Sequence, residues 1–396
     1  MAIGTPSLLR ALNERSIIEL IRGAGPISRA QLARESGLSK PTVSLALTGL
    51  VEEGLVREVG RSSGGKGRGA ILYELHPRSG WVVGIDVGRA WVRAAIADIT
   101  GAFVARRDAR ASVRSARALI SQIGSIAHEL AAQAGVRWSE VTQAVVGSPG
   151  VFEPRRGQVA LAHNLPGWGR QGLVEAVRAE LGTSVAFEND VNLAALGERW
   201  HGLGREVANF VFLSVGTGVG MGLILRGELY RGENGTAGEV GYLPIGGADP
   251  HLTAERRHGA YEAVASAGGV VRTARELGMA PPLIAKKVFA GARRGDPIAS
   301  KVVELEASRL ALGIAAVVPV LDPQLVILGG GIGQNGDLLI EPIERELKTL
   351  SPFRPRVEVS ALGEDAVLHG AVATALADAQ DRVFSRQRTP ELKEAT

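Results

Sequence analysis

Cysteine is absent from all 396 residues, which excludes disulfides and thiolate metal sites. Long apolar runs are absent too. The longest, from Leu310 to Leu321, is interrupted by Gly313 and Pro319 and falls well short of the roughly 20 residues a membrane span needs. The opening stretch MAIGTPSLLRALNERS has no apolar core of the kind a secretory signal carries. These absences give the expectation of a cytoplasmic protein with no membrane partner. What is present is ordinary for globular domains, 45% apolar and 22% charged residues, in a chain long enough for two or three domains.

Charge is unevenly placed. Residues 1–80 hold 11 Lys or Arg against 7 Asp or Glu, a net of +4 that equals the excess of the whole chain. The remainder is neutral, so an anionic partner is expected for the first fifth of the chain. Within it, Ser7 to Arg22 carries apolar residues at near-helical spacing and stops at Gly23 and Gly25-Pro26. Two short helices follow, SRAQLARES with Ser28 as N-cap and SKPTVSLALTGLVEEG with Ser39 as N-cap and Pro41 in the first turn. Ala33, Gly37 and Val43 fall where a helix-turn-helix needs a small residue, a left-handed turn and an apolar contact. LVREVGRSSGGKGRGAILYEL then reads as a hairpin with a basic tip, the wing of a winged helix. Ser28, Arg29, Ser39, Lys40, Thr42 and Ser44 are the expected contacts to double-stranded DNA, with Arg61, Lys66 and Arg68 on phosphate or in the minor groove.

Past Pro77 a strand, a glycine turn and two more strands (WVVGIDVG, WVRAAIADITG, AFVARRDAR) are echoed by NFVFLSVGTGVG, MGLILRG and ELYRG. Laying Val87-Gly88 on Val215-Gly216 aligns the two copies, an internal duplication that predicts two similar α/β lobes facing a cleft. A Rossmann or Walker loop leads from its glycines into a helix; here they lead into another strand, and no Gly-Lys-Ser/Thr occurs. A duplicated hairpin α/β chain with a phosphate loop in each lobe fits the actin-like, sugar-kinase-like (ribonuclease H-like) class.

Within that class the markers GSPGVFEPRRGQVALAHNLPGW, ENDVNLAALGE, SVGTGVGMG with GTAGEVGY, YEAVAS, LDPQLVILGGGIG and GEDAVLHGA make the chain resemble the ROK family (repressors, open reading frames, kinases) over roughly residues 8 to 378. With the winged helix in front, it is similar to the regulator branch, xylose repressors among them. The implied domains are 1–76, a winged helix-turn-helix; 80–190 plus 364–380, a first lobe; 191–363, a second lobe; and 381–396, a polar tail. By the same resemblance Asp190 stands where the family's kinases keep their general base. Gly150, Asn164, Asn189, Glu239, Tyr242 and Glu262 join it around a sugar. Asp86, Gly88, Gly216, Thr217, Gly218, Gly330 and Gly331 line the nucleotide loops.

Two departures from the family pattern matter. The family's zinc site, one His and three Cys, falls here on Tyr242, Thr253, Glu255 and Ala260, so no zinc is expected; His251 and His258 read as a solvated loop. In the first phosphate loop the family's Gly-Thr is replaced by Arg89-Ala90, a bulky side chain where phosphate must approach and a lost hydroxyl. The expectation is a repressor governed by a sugar or sugar derivative, binding a pseudo-palindromic operator as a dimer or tetramer. The alternative is a sugar kinase using Mg-ATP, with Asp190 as its base and an added DNA-binding domain.

Overall fold

The computed structural model describes residues 6–62, 69–153, 156–162, 165–245 and 259–386. Lys66, Arg68, Asn164, His251, Thr253, Glu255 and His258 lie outside the described residues. The chain opens with α1 (Pro6–Ala24), β1 (Ile27–Ser28), α2 (Arg29–Ser36), α3 (Lys40–Glu52), β2 (Val56–Arg61) and β3 (Ile71–Leu75). The turn between α2 and α3 works because Gly37 takes φ of 70°, a left-handed value that costs glycine nothing. Ile17, Ile21, Leu32, Val43 and Leu47 are fully or almost fully buried between the three helices. β1, β3 and β2 form an antiparallel three-stranded sheet beside them, with a bulge between Glu58 and Gly60.

The first lobe follows as β4 (Trp81–Val87), β5 (Trp91–Asp98), β6 (Phe103–Arg110), α4 (Ala116–Gln133), β7 (Val141–Ser148), β8 (Val151–Glu153), β9 (Gln158–Ala160), α5 (Leu173–Leu181) and β10 (Val185–Asn189). Its sheet runs β10-β7-β4-β5-β6, with β4–β6 antiparallel and β7 and β10 parallel to β4. After α6 (Asp190–His201) come β11 (Phe210–Val215), β12 (Val219–Leu225) and β13 (Glu228–Leu229). The chain ends with α7 (Ala260–Ala265), α8 (Ala267–Glu276), α9 (Ala285–Arg293), α10 (Pro297–Leu321), β14 (Leu325–Gly329), α11 (Gly330–Gly333), α12 (Gly336–Leu350), β15 (Arg356–Val359) and α13 (Ala366–Arg386). The second sheet runs β13-β12-β11-β14-β15 with the same sense at each position. The two sheets therefore repeat one topology, as the paired glycine hairpins predict.

Each lobe buries its own core, the first under α4 and α5 and the second under α10 and α12. Between the sheets lie the two connecting helices. α6 leaves the first sheet and packs on β11 and β12; α13 returns from the second and packs on β4 and β7. They cross at Gly197 and Gly370. A Cβ on Gly370 would overlap the Leu193 carbonyl, and one on Gly197 the Ala366 carbonyl, so only glycine permits this approach. α13 continues past residue 380 to Arg386 and reaches the winged helix. There Leu376 and Ala379 share a buried cluster with Ile17, Ile21 and Leu50. The Arg22 guanidinium donates to Gln380 Oε1 at 2.9 Å, and Gln380 Nε2 donates to the Ile99 carbonyl at 3.2 Å.

Gly370→Ala is expected to destabilise the protein by about 1–3 kcal/mol, the usual cost of overpacking. Gly268→Ala, exposed in α8 with only Ser266 Oγ near, is expected to leave stability unchanged or slightly raised. Thermal unfolding of the two variants checks the contrast.

Candidate functional site

The starts of α2 and α3 in the winged helix are built by caps. Ser28 and Gln31 form a capping box on α2, and Ser39 Oγ accepts the Thr42 N–H at 3.3 Å to start α3. Ser39 and Lys40 are exposed at that start, with Thr42 and Ser44 half-exposed one turn on. Arg29 is exposed, its guanidinium 5.2 Å over the Tyr73 ring, and Arg61 donates to the Gly69 carbonyl at 3.0 Å at the edge of the wing. Ser28 corrects the sequence-based expectation. It is only 6% exposed and its hydroxyl is spent on Gln31, so its side chain serves the fold and does not face an outside phosphate.

The interlobe cleft starts where β10 runs into α6. Asn189 caps that helix, its Oδ1 accepting from the N–H groups of Val191 and Asn192 at 2.9 and 3.1 Å. Its Nδ2 donates to the Gly150 carbonyl at 2.9 Å, leaving one amide hydrogen for a ligand. Asp190 is the first residue of α6, accepting the Val191 N–H at 2.9 Å. Burial raises its pKa and outweighs the helix N–H groups that would lower it. Glu239 is pushed up to about 7, by burial first and then by the charges of Asp190 and Glu262. Tyr242 rises for the same reasons, burial before Glu239 and Glu262. Asp190, Glu239, Tyr242 and Glu262 thus share one electrostatic environment, beside a small open cleft lined in part by Asn189, Asn192, Met221 and Glu239.

The nucleotide loops are only partly assembled for phosphate. In the second lobe the Gly216 N–H donates to the Gly218 carbonyl at 2.9 Å, and a Cβ on Gly216 would lie 3.6 Å from the Gly331 nitrogen. The two loops therefore touch, with Thr217 exposed at the tip. Gly330 has φ of 74° and presses on the Val215 carbonyl, where no other residue fits. Glu262 Oε2 accepts the Val219 N–H at 2.9 Å, tying that carboxylate to this loop. Gly220 and Gly222, the other glycines of SVGTGVGMG, do a different job: they let α6 lie on β12 against Val191 and Ala195.

In the first lobe Gly88 closes a turn, its N–H donating to the Trp91 carbonyl at 2.9 Å. Arg89 and Ala90 are exposed. The cation beside Asp86 belongs to Arg93, 3.4 Å away. Asp86 is nonetheless pushed up to about 7, by burial and then by Asp190, which together outweigh the guanidinium. A second pair escapes sequence reasoning. Glu188 accepts from Asn192 Nδ2 at 2.9 Å and pairs with Arg231 at 2.7 Å, joining the end of β10 to the second lobe. Its only signal is its place at the head of ENDVN; nothing marks Arg231, 43 residues downstream.

The raised pKa of Glu239 has a fixed sign. Protonation is favoured in the folded state, so the stability it contributes is complete below about 4.5 and is lost as pH rises through about 7. Glu239→Gln is therefore expected to gain stability over the parent as pH goes from 5 to 8. Melting curves at the two pH values check this, and a constant offset would contradict it.

The profile of the ROK family matches residues 82–378, and that of a winged helix-turn-helix DNA-binding domain matches residues 10–57. The xylose repressor of Caldicellulosiruptor bescii is 26% identical over 393 residues, covering 95% of this chain and 98% of its own. The glucokinase of Halalkalibacterium halodurans is 32% identical over 315 residues, covering 73% of this chain and 93% of its own. A crystal structure of a ROK family transcriptional regulator, a homologue of the E. coli MLC protein, superposes with a TM-score of 0.78 at 22% identity, over 95% of this chain and 99% of that one. Among the described residues no helix is long and apolar enough to cross a membrane. With duplicated sheets, an Asn-Asp pair at the head of α6 and a family match over most of its length, this chain belongs to the ROK family.

Proposed function

We propose that this protein is a cytoplasmic, sugar-responsive transcriptional repressor that binds a pseudo-palindromic operator as a homodimer. One observation carries the reading. A winged helix with a capped, exposed α3 shares a continuous buried core with α13, one of the two helices that join the lobes around the cleft. A sugar offers hydroxyl donors to the crowded carboxylates of Asp190, Glu239 and Glu262 and relieves their mutual repulsion. Closure around it turns the lobes about the Gly197–Gly370 crossing and moves α13. From Gly370 to Gln380 the helix advances about 15 Å, which brings the motion to Arg22 on α1 and alters how two winged helices are spaced on DNA. The xylose repressor among the similar proteins supports a sugar as effector, and the matched winged helix-turn-helix DNA-binding domain supports DNA as partner.

The second reading, a sugar kinase with an attached DNA-binding domain, draws on Asp190 at the head of α6 and on the touching loops at Gly216 and Gly331. Mg-ATP would then be a substrate. Ala90 in the first loop, which supplies no hydroxyl, weighs against it, since phosphoryl transfer depends mostly on positioning.

A sugar panel with labelled Mg-ATP and an operator fragment separates the two. The repressor reading expects one sugar to weaken operator binding by about 5-fold or more, the lower range of allosteric coupling, with no phosphate transfer. Sugar phosphorylation that Asp190→Asn abolishes would replace that reading with the kinase. Absence of sequence-preferring DNA binding at moderate salt would end it. Gln380→Ala is expected to retain operator binding without sugar and to reduce the sugar's effect on it. Titrations of operator affinity with and without the effector check this.

A further inference from the structure

The exposed face of α3 has an unusual composition for a helix that reads DNA. Pro41, Leu45 and Thr48 are exposed along one side, with Lys40 exposed at the helix start, while Val43, Leu47 and Leu50 on the other side are at most 1% exposed. The inner stripe is therefore complete without Leu45, which stands 62% exposed on the outward side. The helix sequence KPTVSLALTGLVE contains no Arg, Asn or Gln. With Lys, those are the side chains that grip guanine or adenine in the major groove, and Lys40, at the helix start, is the only one of the four types present. Two of its hydroxyls are already spent: Thr48 Oγ1 donates to the Ser44 carbonyl at 3.0 Å, and Thr42 Oγ1 lies 2.8 Å from Ser39 Oγ. What this face offers beyond the Lys40 charge is an apolar stripe at positions 41, 45 and 48.

The one apolar feature that B-DNA presents in its major groove is the C5-methyl of thymine. The geometry points to Leu45 as a specificity-determining residue that reads a thymine methyl in each operator half-site. Pro41 and the Thr48 methyl flank it. This rests on the DNA-binding reading above and sharpens it, naming the base feature that is read. Charge complementarity favours DNA over a second protein surface as the occupant, because residues 1–80 carry the whole net charge of +4 and Lys40 is exposed at the N-terminal end of the same helix.

The test uses the full-length chain. A half-site is selected from randomised duplexes, and each thymine in it is then replaced by deoxyuridine, which removes only the methyl. One or two positions per half-site are expected to lose about fourfold in affinity, the worth of one buried methyl. Leu45→Ala is expected to bind the thymine and uracil duplexes equally at those positions, with the salt dependence of binding unchanged. Indifference of the parent to every methyl overturns the inference, as does a Leu45→Ala variant that keeps the thymine preference. So does a Leu45→Ala variant whose only change, by sedimentation, is weaker self-association, since Leu45 would then face a second copy of the chain. Failure to select any sequence is a separate outcome that overturns the regulator reading itself.

Discussion

The contact between Gly197 and Gly370 sets the geometry of everything around it. α6 and α13 are the two passages between the lobes, and each lies on the sheet of the lobe it enters. Both need their backbones in direct contact for the sheets to flank them. Each glycine costs its helix up to about 1 kcal/mol relative to alanine. The close packing it allows offsets that cost, with Leu193, Ala371 and Val372 buried around the crossing. Glu198, wholly buried beside Gly197, accepts the N–H groups of Leu203 and Leu362 at 2.8 and 3.3 Å and so fixes the approach to α13. A tight crossing between two separately packed cores is where the proposed motion has its hinge. Here one of its helices also forms part of the winged helix's core.

Electrostatics gives the hinge something to respond to. Asp86, Asp190, Glu239 and Glu262 crowd the cleft; burial raises the pKa of Asp86, Asp190 and Glu239, and neighbouring carboxylates raise Asp86 and Glu239 further. Arg93 offsets part of that crowding at Asp86. Groups that are costly to leave half-solvated gain most from a ligand that donates hydrogen bonds, which is what a polyol does. The cleft's chemistry thus suits a sugar, and its first phosphate loop suits a nucleotide poorly.

Much of this was legible in the sequence because it rests on local rules. Ser39, Pro41 and Gly37 announce the helix-turn-helix through capping and backbone conformation, and the paired glycine hairpins announce two equivalent sheets. What stayed hidden depends on distant residues. Ser28 reads equally well as a cap that is exposed or one that is buried, and only the pairing of β1 with β3 decides for burial. Arg89 looks like the residue that fills the first loop, but the turn at Gly88 turns it outward and the next strand brings Arg93 to Asp86. Gly220 and Gly222 look like phosphate-loop residues until α6 is seen lying over them. Glu188 meets Arg231 only once the lobes face each other.

The central claim is that a sugar in the cleft moves the lobes about the α6–α13 crossing and so releases DNA. A chain without cysteine is a clean host for paired spin labels. Val104 on β6 and Val320 at the end of α10 are exposed, 45% and 79%, on opposite lobes. With both changed to cysteine and labelled, the inter-label distance should shift on adding the sugar that weakens operator binding, over the same concentration range. Release of the operator by that sugar with an unchanged distance distribution would contradict the account.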